Sequence, residues 1–246
     1  MGSNWSWTLA LPEGSLTTGT VEQILEQAET AGLSPIRPGG GCNGFDNAPG
    51  HEGEHRVVDR DEMVRGLVTG SWATNLWTGS ETDIGLNSRP GRGRGWDQVR
   101  LDLDSVHSCR EPSPRAQPFR DLHRLLTGLW LAVAARTGAF FGRVEDEWSL
   151  TQIWAELTDP LSDAPPPVGV WPRRLGWWTY FDADRYRLLP TVPTALESSV
   201  RRIPEGAAVI ELLTDPAAVD PVRFSDLHHD YWRGIRARSG NPSRVR

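Results

Sequence analysis

The run Leu175 to Phe181, Leu-Gly-Trp-Trp-Thr-Tyr-Phe, constrains the fold of this chain more than any other seven residues. Four aromatic side chains and one threonine follow a glycine, directly after the Pro-rich stretch Pro165 to Pro172. Aromatic and β-branched residues favour extended backbone, and a run this apolar has no solvent face to offer. It predicts a short, fully buried β-strand entering the core, so the chain must supply cover on both sides of it. Twelve Trp among 246 residues furnish the material, each removing roughly 150–250 Å² from water when buried.

Hydrophobic periodicity places further elements around that strand. Trp5, Trp7, Leu9 and Leu11 alternate, which is a strand. Thr20 then precedes Val21, Ile24, Leu25 and Ala28, with Gln23 three residues on and Gly32 at the end, the signature of an amphipathic helix with a capping box. Pro38 to Glu54 is Gly-rich with few apolar side chains and reads as a long loop. The segment Met63 to Val68 fits helix and strand equally. Thr82 to Asn87 and Asp97 to Leu103 both alternate, and the Arg-Gly-rich connector between them predicts a hairpin with one wet face and flexible arginines at its tip. Pro118 opens the strongest helix, with Phe119, Leu122, Leu126, Leu129, Trp130 and Val133 at helical spacing and Gly138 as its stop. Ser149 and Gln152 form a second capping box before a short helix. Pro193 to Val200 reads as a short helix, Gly206 to Leu213 as a buried strand, and Asp220-Pro221 as the start of a last helix with Val222, Leu227, Tyr231 and Ile235 inward.

Strands and helices alternate irregularly with at least one hairpin. The expected fold class is therefore α+β, an antiparallel or mixed sheet with helices packed mainly on one face. Residues 1–238 are read as one domain, with 111–118 as an internal boundary to consider and 239–246 as a disordered tail.

Composition narrows the function. The net charge of −6 argues against a general nucleic-acid binder and permits a basic protein partner. All 26 basic residues are Arg. Two cysteines, Cys42 and Cys109, are too few for a disulfide framework. The N-terminus lacks a signal-peptide pattern, and Leu129 to Ala135 falls far short of the ~20 apolar residues of a membrane span. The expectation is a cytoplasmic protein with no membrane and no nucleic-acid partner.

Few residues suggest chemistry. His51-Glu52-Gly53-Glu54-His55 fits H-E-x-x-H, in which one helix presents two histidines to zinc and the Glu acts as general base. Pro49-Gly50 before it and Gly53 within it oppose a helix. Cys42, His51, His55, His107 and Cys109 could be assembled into a zinc site, but their spacings match no finger pattern. Arg143-Val-Glu-Asp-Glu-Trp148 groups three carboxylates, read first as a helix N-terminal acidic cluster. His123 falls off the apolar stripe of its helix and is expected to be at least partly exposed. His228 and His229 point about 100° apart on theirs and read as polar surface.

The order of elements carries a resemblance. A long apolar helix, a Trp-containing helix, a Pro-rich loop and the Leu175 to Phe181 strand are followed by Leu188-Leu189-Pro190, an apolar strand after a glycine, and a helix bearing Asp226-Leu227-His228. Over residues 118–232 this resembles the immunity protein 52 family of bacterial polymorphic toxin systems, with Trp178 where that family's strand has a smaller apolar residue. The resemblance implies a cytoplasmic α+β protein that binds and neutralises a cognate toxin, and it assigns no interface residues.

The expected function is thus a non-enzymatic protein-binding protein, an immunity protein without cofactor, metal or catalytic residue, whose partner is a cognate and basic toxin. Exposed acids are its candidate contacts: Asp83, Asp102 and Asp104 on the hairpin, and Glu145, Asp146 and Glu147. The alternatives are a zinc-dependent hydrolase using His51, Glu52 and His55, and a small-molecule binder with a Trp-rich pocket.

Overall fold

The computed structural model describes residues 3–47, 50–80, 82–159 and 162–239; the expected tail lies outside them from residue 240 onward. Ten strands form one open antiparallel sheet, so the α+β expectation holds. In chain order they are β1 (Trp5–Pro12), β2 (Cys42–Asp46), β3 (His55–Val58), β4 (Trp72–Trp77), β5 (Asp83–Arg89), β6 (Trp96–Leu103), β7 (Phe141–Asp146), β8 (Trp178–Phe181), β9 (Val200–Arg202) and β10 (Ala208–Glu211). In space they run β3-β2-β4-β5-β6-β1-β7-β8-β10-β9. The helices are α1 (Thr18–Thr30), α2 (Arg60–Thr69), α3 (Ala116–Thr137), α4 (Glu147–Ile153), α5 (Ala183–Leu188) and α6 (Pro221–Ser239). Because β1 lies between β6 and β7, the first strand of the chain ties the sheet's two halves together across the 111–118 segment.

Alternation decides which side chains meet. Trp5, Trp7 and Leu9 of β1 pair with Leu103, Leu101 and Val99 of β6, and Trp7 and Leu9 with Val144 and Gly142 of β7. These residues share one sheet face, and α3 lies over it. The indole of Trp130 donates to Thr8 O at 2.9 Å through the space above Gly142. A Cβ at Gly142 would stand 2.8 Å from that indole and 2.7 Å from Thr8 O, so only glycine allows this approach.

The opposite face begins with Ser6, Thr8, Arg100, Asp102, Arg143 and Glu145 and becomes aromatic at Phe181. Trp171, at the end of the Pro-rich stretch, packs edge-on against both Phe181 and Tyr231 of α6. The two Trp of the opening run part company here. Trp178 faces Trp5, while Trp177 is sealed against Phe224 of α6. All four residues of β8 are buried, as the run of aromatics requires.

Several expectations are corrected. The Gly-rich stretch 38–54 is not all loop: it contains β2, where Trp72 fits against Gly44. Residues 60–69 are helical, and β4 and α5 are elements that alternation did not reveal. α1 is capped by Thr17, whose hydroxyl accepts from Thr20 N, and α4 by Asp146, whose carboxylate accepts from Ser149 N. The arginines of the hairpin tip are held: Arg92 donates to Thr69 O, and Arg94 donates to Gly91 O and lies over Trp96. On α6 the inward residues are Phe224, His228 and Tyr231, and Val222 is exposed.

Both misjudged histidines are core residues. His228 donates from Nδ1 to Phe224 O at 2.9 Å and accepts the Leu175 N–H on Nε2 at 3.2 Å, pinning α6 to the start of the Trp-Trp strand. Burial holds its pKa below the ordinary histidine value. His123 sits among Trp5, Trp7, Phe119 and Trp178, with ring centroids 4.7–5.9 Å away. Burial pushes its pKa down to about 3.

Candidate recognition surface at the acidic end of the sheet

Register brings the predicted acids together. Gly85, Asp102, Ser6 and Glu145 form one row across β5, β6, β1 and β7. Two residues further toward the same end of these strands come Asp83, Asp104, Asn4 and Glu147. Asn4 ties the second row laterally: its Oδ1 accepts from Ser105 N at 2.8 Å, and its Nδ2 donates to Glu147 Oε2 at 2.9 Å. Asp104 Oδ1 accepts from Val106 N at 2.8 Å, and Asp83 Oδ1 lies 3.9 Å from His107 Nε2. At ~4.8 Å per strand the row is about 15 Å wide. Asp83, Asp104 and Glu147 are exposed.

The inner row behaves differently. Glu145 is 7% exposed, so it is not the surface acid expected of it. Its Oε1 stands 2.7 Å from Arg174 Nε and 3.6 Å from Arg143 Nε. Asp163 joins from the covering segment, 3.5 Å from both guanidinium groups and accepting from Gln98 Nε2 at 3.0 Å. Arg100 and Asp102 pair beside them at 2.6 Å, both about two-fifths exposed. Three guanidinium groups thus balance three carboxylates. Burial lowers the Arg143 pKa, opposed by Glu145. Such a cluster is costly to desolvate but costlier to break, because each partner is left as an unpaired buried charge. Ser162 O accepts from both Arg143 and Arg174, so the cluster fastens residues 162–174 onto the sheet.

Asp146 is also not a surface acid: at 1% exposure it lies on the Trp5 side of the sheet. Its carboxylate accepts from Trp177 Nε1 at 2.7 Å, Ser3 Oγ at 3.0 Å and Ser149 N at 3.1 Å. Of the six acids, two therefore build the scaffold, Asp102 sits at its margin, and three point outward with no arginine paired to them among the described residues.

The metal-site candidates do not assemble. His51, Glu52 and Gly53 lie in a turn with Gly53 at φ +81°, and His55 opens β3, so the two histidines are not one turn apart on a helix. His51 Nδ1 meets Glu54 Oε1 at 2.9 Å, Glu52 Oε2 accepts from Gly50 N, and His55 Nε2 meets Asn43 Oδ1 at 2.8 Å. Cys42 is buried in β2, and Cys109 Sγ contacts Ser113 Oγ at 3.0 Å. Among the described residues no three His, Cys, Asp or Glu side chains are placed to hold a metal ion. No helix among them is long and apolar enough to cross a membrane.

No family model matches the chain, and no curated protein does. Among solved structures, the T6SS protein PA0821 of Pseudomonas aeruginosa superposes on 95% of this chain and 74% of its own with a TM-score of 0.52 at 13% identity. The open form of the exocytosis-sensitive phosphoprotein pp63/parafusin from Paramecium covers 55% of this chain and 21% of its own, with a TM-score of 0.27 at 10% identity, too low to indicate a common architecture. The first likeness covers nearly the whole chain and shows a shared fold.

Proposed function

We propose that this chain is a non-enzymatic binding protein of a bacterial toxin system: a cytoplasmic immunity protein that neutralises a cognate toxin. The observation that carries this reading is the fold shared with the T6SS protein PA0821 over 95% of the chain. It agrees with the resemblance to the immunity protein 52 family, read from residues 118–232. The acidic end of the sheet supplies the contact surface. Asp83, Asp104 and Glu147 stand at the ends of β5, β6 and β7, on a frame fixed by the Arg143–Glu145–Arg174 cluster. Charge fixed on a rigid frame favours fast association with a basic partner, and carboxylates locked between guanidinium groups are poor proton shuttles.

Protection of cells tests the proposal. The gene next to this chain's own is read for a secreted protein, and the C-terminal domain of that product is expressed with and without the chain; a neighbourhood that encodes no secreted protein counts against the reading. Restored growth with the wild-type chain, lost when Asp83, Asp104 and Glu147 all become Arg, supports the reading. Unrelieved toxicity with abundant soluble chain rejects it.

A further inference from the structure

A cleft of about 370 Å³ opens between α4 and the first residues of β1, next to the acidic row. One wall belongs to α4. Glu147, Leu150 and Trp154 stand at i, i+3 and i+7, along one face of the helix, and all three line the cleft. Trp154 still has helical backbone angles, φ −55° and ψ −47°. The opposite wall is Arg100, Asp163 and Arg174. Its charges are already matched: Arg174 holds Glu145 and Asp163, and Arg100 holds Asp102. Glu147 at the mouth differs. Its carboxylate takes a hydrogen bond from the Asn4 amide and has no arginine paired to it among the described residues.

Trp154 is the second, independent feature. Eleven of the twelve Trp are buried or half-buried, and Trp154 alone is exposed, at 42%. Elsewhere the chain covers its indoles with its own cations. Arg56 lies 4.0 Å over the ring of Trp72, Arg94 5.1 Å over Trp96 and Arg110 5.8 Å over Trp148. The half-buried Trp232 meets His229 edge-on and donates to Arg173 O. Among the described residues, the Trp154 indole has no ring contact, no cation over it and no hydrogen bond. It is an aromatic face without its arginine, one side of a cleft with an unpaired carboxylate at the mouth.

We infer that this cleft receives one arginine side chain of a protein partner, its guanidinium stacked on the Trp154 indole and paired with the Glu147 carboxylate. The identity of that partner, the basic toxin, rests on the function proposed above. A planar guanidinium stacks on an indole and engages a carboxylate at the same time, which an ammonium group does less well. An anion is repelled by Glu147 and the neighbouring row, and both arginines of the far wall already hold carboxylates. The division of labour follows: the exposed row speeds encounter, and the seated arginine slows release.

N-acetylarginine amide is the probe, with the citrulline amide as its uncharged isostere and the glutamate amide as an anion. The Trp154 indole N–H resonance is the reporter, assigned by its loss in Trp154→Phe. The arginine amide is expected to shift this resonance saturably at millimolar concentration, and the other two to leave it unmoved. Glu147→Gln, which keeps an acceptor for Asn4 but removes the charge, should weaken the arginine amide about two- to fivefold. A second readout is the complex with the C-terminal domain of a secreted protein encoded by a neighbouring gene. There Trp154→Ala should keep the wild-type melting temperature and association rate and speed dissociation about tenfold or more. No saturable shift, or an equal shift from the citrulline or glutamate amide, would overturn the inference. So would a complex whose dissociation Trp154→Ala leaves unchanged. An arginine-specific shift with no complex at all would sustain the cleft's chemistry and reject the toxin reading.

Discussion

At the residue scale, buried ionisable groups set how the protein responds to pH and to substitution. His123 is neutral in the fold and has a folded pKa of about 3, whereas in the unfolded chain it titrates near ~6.5. Between these values the unfolded state binds a proton that the folded state refuses. The stability contribution is complete above pH 6.5 and is lost as pH falls toward 3. From pH 7 to pH 5 the loss from His123 alone is about 2 kcal/mol. His228, shifted in the same direction by burial, adds to it. Urea denaturation at the two pH values checks this. His123→Phe should have a pH dependence smaller by about 2 kcal/mol, and an unchanged dependence would contradict the assignment. Glu145 provides the second case. Glu145→Gln leaves Arg143 and Arg174 without their shared carboxylate, at an expected cost of about 3–5 kcal/mol. Asp104→Asn, on the surface, should stay within about 0.5 kcal/mol of wild type. Comparable losses in the two variants would contradict the division between inner and outer acids.

At the scale of elements, two glycines separate close packing from open surface. Gly142→Ala drives a methyl group into Thr8 O and the Trp130 indole, an overpacking that costs about 1–3 kcal/mol. Gly128→Ala meets nothing and should stabilise α3 by about 0.5–1 kcal/mol. Thermal melts of the pair should therefore move in opposite directions. These elements were unequally legible in the sequence. β1, β6 and α3 announce themselves because each has one consistent buried face, and β8 because it has two. β2 escaped notice because Gly44 contributes no side chain and is covered by Trp72 from another strand. The face of α6 was misread because Phe224 and His228 form the stripe: a histidine whose two nitrogens both find backbone partners is a core residue, yet by type it counts as polar. The acids show the same limit. Their positions along the chain mark them as charged, but only strand register reveals that Asp83, Asp104 and Glu147 share an edge while Glu145 is sealed behind them. Trp178 and His123 lie 55 residues apart in sequence, with ring centroids 4.7 Å apart in space, so their contact had no local signature.

At the scale of the whole molecule, a ten-stranded sheet held by aromatic layers presents an acidic row at one end of its strands, and the net charge of −6 reinforces the field of that row. Long-range steering raises association rates more than it slows dissociation. Reversing Asp83, Asp104 and Glu147 to Arg should slow association with a basic toxin domain about tenfold or more at low salt, with the difference shrinking as ionic strength rises. Urea midpoints should stay close to wild type, since none of the three is buried. The most direct measurement of the central claim is the association kinetics of the purified chain with the C-terminal domain of a secreted protein encoded by a neighbouring gene, recorded across ionic strength. The account predicts a saturable one-to-one complex that forms faster at low salt and loses that acceleration in the triple variant. No complex at micromolar concentrations, or a complex indifferent both to salt and to the three acids, would contradict it.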